Sequence, residues 1–168
     1  MRNALLLAVL ASTPAFAGPP KPEELPAALR DWERWVLHDE KDRNCPFLQG
    51  NGERPCAWPG QLTLTLDEQG GRFTQSFWTF REVWQRLPGE LRHWPQDVQV
   101  DSKPAVVVAD ASGRPAVLLS QGDHLVAGQF SWGALPDALD IPPDTGLVAL
   151  TVKGQPVALP NRDAALRG

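Results

Sequence analysis

The clearest pattern lies in the middle of the chain, where apolar and polar residues alternate. Gln61–Leu66 places leucine at every second position and polar residues between, which is the pattern of a half-buried β-strand. Asp67–Gly71 carries turn residues and predicts a hairpin into a second strand, Arg72–Phe80. The aromatic residues of that second strand change parity between Phe77 and Trp78. The change predicts a β-bulge, or burial on both faces of the sheet.

Short apolar runs continue at close intervals toward the carboxyl end, separated by Pro, Gly and Asp turn signals. This spacing predicts a mostly β fold, either an antiparallel β-sandwich of Ig-like or jelly-roll-like form or a partly open barrel, and we favour the sandwich. A single helical turn is predicted at Leu135–Leu139. The further predicted strands are Glu82–Leu87, Asp97–Val100, Ala105–Ala109, Ala116–Leu119, His124–Phe130, Leu147–Val152 and Gln155–Leu159.

One N-terminal α-helix is predicted ahead of the strands. The apolar positions that define its face, at spacings of four, three and four, are Leu25, Leu29, Trp32 and Val36. A charged run after His38 loses this pattern and ends the helix. We expect Trp32 and Trp35 to pack against the sheet, so that Trp32→Ala would cost several kcal/mol of stability.

The first residues have the pattern of an export signal. Arg2 precedes the apolar run Ala4–Leu10, which is too short to span a bilayer, and Ala15-Phe16-Ala17 fits a cleavage site. We therefore assign residues 1–17 to a signal peptide. The mature chain would begin at Gly18 in the periplasm or outside the cell.

Two cysteines follow in a Pro- and Gly-rich loop, Asn44–Gly60, which predicts no regular structure. A disulfide between Cys45 and Cys56 would close about twelve residues, worth roughly 3 kcal/mol in the chain-entropy model. A metal pair is the alternative, but two thiols with no histidine nearby make a poor site. The disulfide is the stronger interpretation, because an exported chain meets an oxidising compartment.

The sequence predicts an organisation in three parts. Residues 1–17 are the signal, residues 18–60 hold the Pro-rich lead, the helix and the disulfide loop, and residues 61–168 form the sandwich. The final run Asn161–Gly168 has no cap and no strand partner. We expect from this that the chain is the first part of a longer protein.

The charge balance excludes some partners. The formal net charge is −4 at pH 7, and loss of Arg2 with the signal makes it one unit more negative. A mildly acidic chain without a basic cluster is not expected to bind nucleic acid or anionic lipid, because both are negatively charged. The signal itself is the longest apolar run, so we expect no membrane insertion after cleavage.

Catalytic and metal motifs are missing from the sequence. His38, His93 and His124 are far apart and fit no ligand motif, and no nucleophile elbow or phosphate loop is present. The run Asp137, Asp140 and Asp144 lacks the alternation of a calcium loop, so a solvated loop is the better interpretation. We predict no catalytic residue, no metal and no cofactor.

The seven tryptophans are the remaining candidates for binding. Indole rings serve equally well in a core and as platforms for sugar rings. Trp78 and Trp84 lie within predicted strands and fit a core better. Trp94 and Trp132 lie beside Pro95 and Gly133, outside strong strand patterns, and are the candidates for ligand stacking.

Several stretches carry a family resemblance: Cys45-Pro46-Phe47-Leu48, Cys56-Ala57-Trp58-Pro59-Gly60, His93–Val98 and Val100-Asp101. Together they resemble the N-terminal region of large, exported, uncharacterised proteins of Gram-negative bacteria. The resemblance covers most of the mature chain and implies no activity and no functional residue. The region Val98–Phe130 also resembles small Ig-like sandwich repeats, which speaks only to architecture.

These observations favour a non-catalytic exported domain that acts as a structural or interaction module of the cell envelope. Its expected partners are other envelope proteins or the remaining domains of a longer chain. A carbohydrate-binding module is the first alternative and requires exposed tryptophans on one face or rim. An envelope hydrolase is the second, and it requires a cleft with two facing carboxylates or a histidine beside a hydroxyl.

Overall fold

The computed structural model describes residues 26–36, 38, 42–48 and 52–160. In these ranges one α-helix, α1 (Ala27–Val36), precedes ten β-strands in two sheets, which confirms the mostly β prediction. The predicted signal peptide and the run Asn161–Gly168 lie outside the described residues. The strands are β1 (Ala57–Leu66), β2 (Gly70–Thr79), β3 (Val83–Arg86), β4 (Gln96–Val100), β5 (Lys103–Pro104), β6 (Val108–Ala109), β7 (Pro115–Leu119), β8 (Gly122–Ser131), β9 (Val148–Val152) and β10 (Gln155–Val157).

The chain divides into two compact units, residues 1–41 and 42–168. Helix α1 lies in the first unit, and its large apolar side chains are exposed: Leu29 by 53%, Trp32 by 60% and Trp35 by 74%. The two indoles contact each other edge to face, with ring centroids 6.0 Å apart. Within this unit the two indoles are not buried, and their packing against the sheet of the second unit, with the loss expected for Trp32→Ala, stays a prediction. Helical periodicity shows which side of a helix is apolar, but not that another element covers it.

No helix among the described residues is both long enough and apolar enough to cross a membrane.

The second unit contains both sheets and the disulfide loop. The larger sheet has seven strands in the order β10-β9-β1-β2-β8-β4-β5, and the smaller has three in the order β3-β7-β6. Neighbouring strands pair antiparallel except for β1 and β9, which run parallel. Among the described strand pairs, this parallel pair is the one departure within the antiparallel sandwich that the sequence predicts.

The core is formed by alternate residues of the long strands. On β2, Phe73 and Phe77 are buried while Thr74 and Ser76 between them are exposed. Both sheets contribute to one apolar cluster, as a sandwich requires. Its buried members are Leu62, Leu64, Leu66, Phe73, Phe77, Leu87, Val98, Val117, Leu119, Val126 and Phe130.

Two local predictions about the first hairpin need correction. Strand β1 begins at Ala57 and passes through Pro59, so the disulfide loop does not exclude regular structure up to Gly60. The irregularity predicted for β2 lies instead in β1, where the register with β2 shifts between Pro59 and Leu62. Proline has no N–H to donate to the ladder, which explains why the pairing breaks there.

Of the predicted strand Ala105–Ala109 only Val108–Ala109 is a strand, because the chain changes sheets just before it. Strand β5 (Lys103–Pro104) pairs with β4 in the larger sheet, and β6 (Val108–Ala109) pairs with β7 in the smaller one. The turn between β4 and β5 has Asp101 and Ser102 at φ 52° and 64°, the signs expected for a tight two-residue hairpin. Leu135–Leu139 forms no helical turn.

Candidate functional site

The disulfide predicted between Cys45 and Cys56 is confirmed. The two Cα atoms are 4.8 Å apart, and both residues are buried. The loop is held further by the N–H of Phe80, which donates to the carbonyl of Cys56 at 2.9 Å, and by an Arg81–Asp42 ion pair at 2.6 Å. The bridge therefore ties the loop to the strands of its own unit.

One described cluster has the side chains of a metal site: Asp42, Cys45 and Cys56. Its two sulfurs are bonded to each other, so neither is a thiolate ligand. The loop carboxylates that suggested calcium are engaged separately. Asp140 pairs with Arg114, and Asp144 accepts a hydrogen bond from Gln85 at 3.1 Å.

Trp132, one of the two predicted stacking residues, is partly buried at the edge of the core. Its ring stacks on Phe130 at 5.9 Å with planes 14° apart, and His93 meets it edge-on at 5.9 Å. The indole N–H donates to the carbonyl of Asp67 at 2.9 Å. One indole face and the polar edge are thus occupied within the protein, which leaves Trp132 poorly placed to stack on a ligand.

Trp94, the other predicted residue, lines an open groove of about 830 Å³ over β4 and β8. Its side chain is partly buried. Four polar side chains line the same groove: Arg72, Asp97, Gln99 and Gln129. The structure therefore places Trp94 and Trp132 in different environments and does not join them in one platform.

Strand pairing explains why these polar residues meet. Arg72 on β2 is registered with Gln129 on β8, and Gln129 is registered with Gln96 at the start of β4. An extra residue in β4 then shifts the register between Gln96 and Gln99. Asp97 lies in this bulge at φ 48° and accepts a hydrogen bond from the Gln129 amide. Sequence reasoning missed the set, because its members are brought together only by the sheet register.

The most exposed strand tryptophans are Trp58, Trp78 and Trp84, at 52%, 47% and 53%. Trp58 and Trp78 are direct cross-strand partners on β1 and β2. Trp84 on β3 is partnered by Leu118 on β7, which is 42% exposed. The prediction that Trp78 and Trp84 belong to the core is wrong. A position within a strand leaves the choice of face open, and both residues fall on the outward parity.

A serine, a histidine and an aspartate also come together. His124 Nδ1 lies 2.8 Å from Asp101 Oδ2, and its Nε2 lies 3.4 Å from Ser120 Oγ. The same Nε2 lies closer, 2.9 Å, to the backbone carbonyl oxygen of Ser120. Nε2 is thus closer to a carbonyl oxygen than to the hydroxyl, and 3.4 Å is longer than the hydrogen bond expected between a nucleophilic hydroxyl and its base.

The same contacts tie two turns together. The backbone N–H of Leu125 and the imidazole of His124 hold the pKa of Asp101 below its ordinary value. Asp101 Oδ1 accepts from that N–H at 2.9 Å, and the Leu125 carbonyl accepts from the Asp101 N–H at 2.9 Å. The aspartate thus links the β4–β5 turn to β8.

This lowered pKa predicts an acid-dependent loss of stability. The charged carboxylate stabilises the fold above the ordinary pKa of aspartate, about 4, and the contribution is lost as the pH falls through the lowered value. We expect the melting temperature of Asp101→Asn to be lower than that of the wild type at pH 6. The difference between the two melting temperatures should become smaller toward pH 2. Asparagine readily adopts the left-handed backbone conformation of Asp101, so the substitution should leave the conformation of the turn unchanged.

Asp137→Asn, at an exposed aspartate in the loop after β8, is the control. Thermal melts followed by circular dichroism at each pH would measure how far the melting temperature of each variant lies from that of the wild type. A difference for Asp101→Asn that is constant from pH 6 to pH 2 would contradict the stabilising role of the charged Asp101 carboxylate.

Comparison with known proteins gives no family. No family model matches the chain, and no curated protein matches it. Among solved structures, it is similar to an M1 zinc metallopeptidase from Deinococcus radiodurans, with 16% identity over 46% of this chain and a TM-score of 0.32. A mutant of an M1 zinc metallopeptidase from the same organism, bound to a Tyr-Ser-Ala substrate, gives 14% identity over 49% of this chain and a TM-score of 0.32. The chain covers only 19% and 20% of those two proteins.

Proposed function

We propose that the chain is a non-catalytic exported domain that acts as an interaction module of the cell envelope. The observation that carries the proposal is the outward placement of Trp58, Trp78 and Trp84 on regular strands. Large aromatic side chains are enriched at interfaces, because they bury much area with little loss of conformational freedom. A strand position that only met solvent would be filled equally well by threonine or glutamine.

The compartment forms part of the proposal. The buried disulfide between Cys45 and Cys56 supports an oxidising environment, and the N-terminal sequence pattern supports export. We place the mature domain in the periplasm of a Gram-negative bacterium or outside the cell, in keeping with the family resemblance of its sequence.

The contacts of His124 support the non-catalytic part. Its Nε2 is engaged by the Ser120 carbonyl, closer than by the hydroxyl. The residues of a hydrolase site are thus adjacent, but the hydroxyl and the imidazole are farther apart than the hydrogen bond that activates a nucleophile.

The outer face around Trp58 and Trp78 can be tested by photo-cross-linking. Trp78 would be replaced with the photoreactive residue benzoylphenylalanine in the full chain, in the bacterium that produces it. We expect a light-dependent cross-link to another envelope component, because the indole at this position is about half exposed.

The matched control is the same replacement at Thr65, an exposed outward position of the neighbouring strand β1. A cross-link at position 78 and not at 65 supports the module. Equal cross-linking at both positions, or none at 78, would overturn it.

A further inference from the structure

We propose that the groove over β4 and β8 binds a neutral carbohydrate chain, with Trp94 as the wall on which a sugar ring stacks. The inference deepens the proposed function by naming a ligand class, and it rests on the chain being a binding module. It uses a different surface from the one around Trp78, so the two can fail separately.

The size and shape of the groove suit a small ligand. Its volume of about 830 Å³ lies within the usual range of ligand pockets, about 300–1,000 Å³. It is open to solvent, so a chain of sugar units can extend beyond it. The floor includes Ala127 of β8, whose small side chain lets a flat ring approach the strands closely.

The polar lining fits hydroxyl groups better than charged ligands. Arg72 and Asp97 balance each other in formal charge, and Gln99 and Gln129 are neutral. A site for phosphate or a nucleic acid needs an excess of positive charge, which this lining lacks. Carboxylate, amide and guanidinium groups present donors and acceptors at the ends of planar forks. Such forks match the neighbouring hydroxyls of a sugar ring.

The aromatic wall completes this match. A pyranose ring has an apolar face of C–H groups, which packs well on an indole. Trp94 is partly buried, so its position is fixed by the protein while part of its surface faces the groove. Trp132 cannot serve in its place, because Phe130 covers one of its faces.

The backbone at Asp97 places its side chain in the groove. Asp97 has φ 48°, a left-handed conformation that aspartate adopts more readily than most residues. Here the bulge in β4 turns Asp97 toward Gln129, whose amide donates to its carboxylate. The pair is held ready by the strands before any ligand binds, which lowers the cost of binding.

Nuclear magnetic resonance can test the proposal with the indole N–H signals of the seven tryptophans as reporters. The full mature chain would be titrated with cellotetraose, maltotetraose and chitotetraose, which are neutral probes of different linkage. We expect at least one probe to shift the Trp94 signal in a saturable way. The Trp132 signal should move little, because its N–H is bonded to the Asp67 carbonyl.

Variants then locate the site. We expect Trp94→Ala and Gln129→Ala each to weaken binding tenfold or more, and Trp78→Ala to leave it unchanged. If Trp78→Ala abolished saturable binding and Trp94→Ala left it intact, the sugar would not bind in the groove, and the inference would be overturned. No shift of the Trp94 signal with any probe at 10 mM would overturn the inference as well. A cross-link at position 78 would still stand in either case, so the failure of the carbohydrate site is distinguishable from failure of the module.

Discussion

Phe73→Ala should lower the free energy of unfolding by about 3–5 kcal/mol, the usual cost of removing a buried phenylalanine. Phe73 is fully buried at the centre of β2, and its ring centroid lies 5.5 Å from that of Phe130. The ring fills space left by Gly128, where a Cβ atom would come within 2.6 Å of it. Urea unfolding followed by far-ultraviolet circular dichroism would measure the loss.

Trp78→Ala is the matched control on the same strand. The indole is the larger ring, but it is 47% exposed on the outward face, so its removal should cost clearly less than that of Phe73. If the two variants lost similar amounts of unfolding free energy, Phe73 would not face the core while Trp78 faces outward. Both the described core and the proposed binding role of the outer face depend on that difference.

Replacing Cys45 and Cys56 together with serine should lower the free energy of unfolding by about 3 kcal/mol, from the entropy of the loop that the bridge closes. The variant should still fold, because the loop keeps the Phe80–Cys56 backbone hydrogen bond and the Arg81–Asp42 ion pair. Its unfolding midpoint in urea would be compared with that of the oxidised wild type.

A reductant supplies the control for this second prediction. Dithiothreitol should lower the free energy of unfolding of the wild type to that of the double variant. It should leave the free energy of unfolding of the double variant unchanged. A double variant as stable as the oxidised wild type would show that the bridge contributes nothing to folding stability.

The sequence pattern was sufficient where one face of a strand is buried. The leucines of β1 recur with period two, and Leu62 and Leu64 lie in the core, because alternation reports directly on a half-buried sheet. The pattern failed where an apolar residue faces outward. Trp78 and Trp84 are as apolar as core residues, and only the register of their strands decides that they are exposed.

Topology was beyond local reasoning for a related reason. The parallel pairing of β1 with β9 joins residues that are far apart in the chain, Leu62 and Val148. The change of sheet between β5 and β6 leaves Ala105–Val107 outside any strand, although Ala105–Ala109 has the pattern of one continuous strand. Such choices depend on long-range packing and leave no periodic signal in a single sequence.

The candidate site was predictable only in part. The disulfide was expected from two cysteines behind an N-terminal pattern typical of export, and Trp94 could be selected because it stands beside Pro95 outside a strand. Its polar partners could not, since Arg72 and Gln129 meet through the pairing of β2 with β8. The clustering of Ser120 with His124 was missed as well, because the short connection between β7 and β8 brings their side chains together without any motif.

The most direct test is the intact mass of the protein recovered from envelope extracts after free thiols are blocked with iodoacetamide. The account predicts a chain cleaved after Ala17 that carries no label at Cys45 or Cys56 until it is reduced. A full-length chain from the cytosol, or one labelled at both sulfurs before reduction, would contradict it.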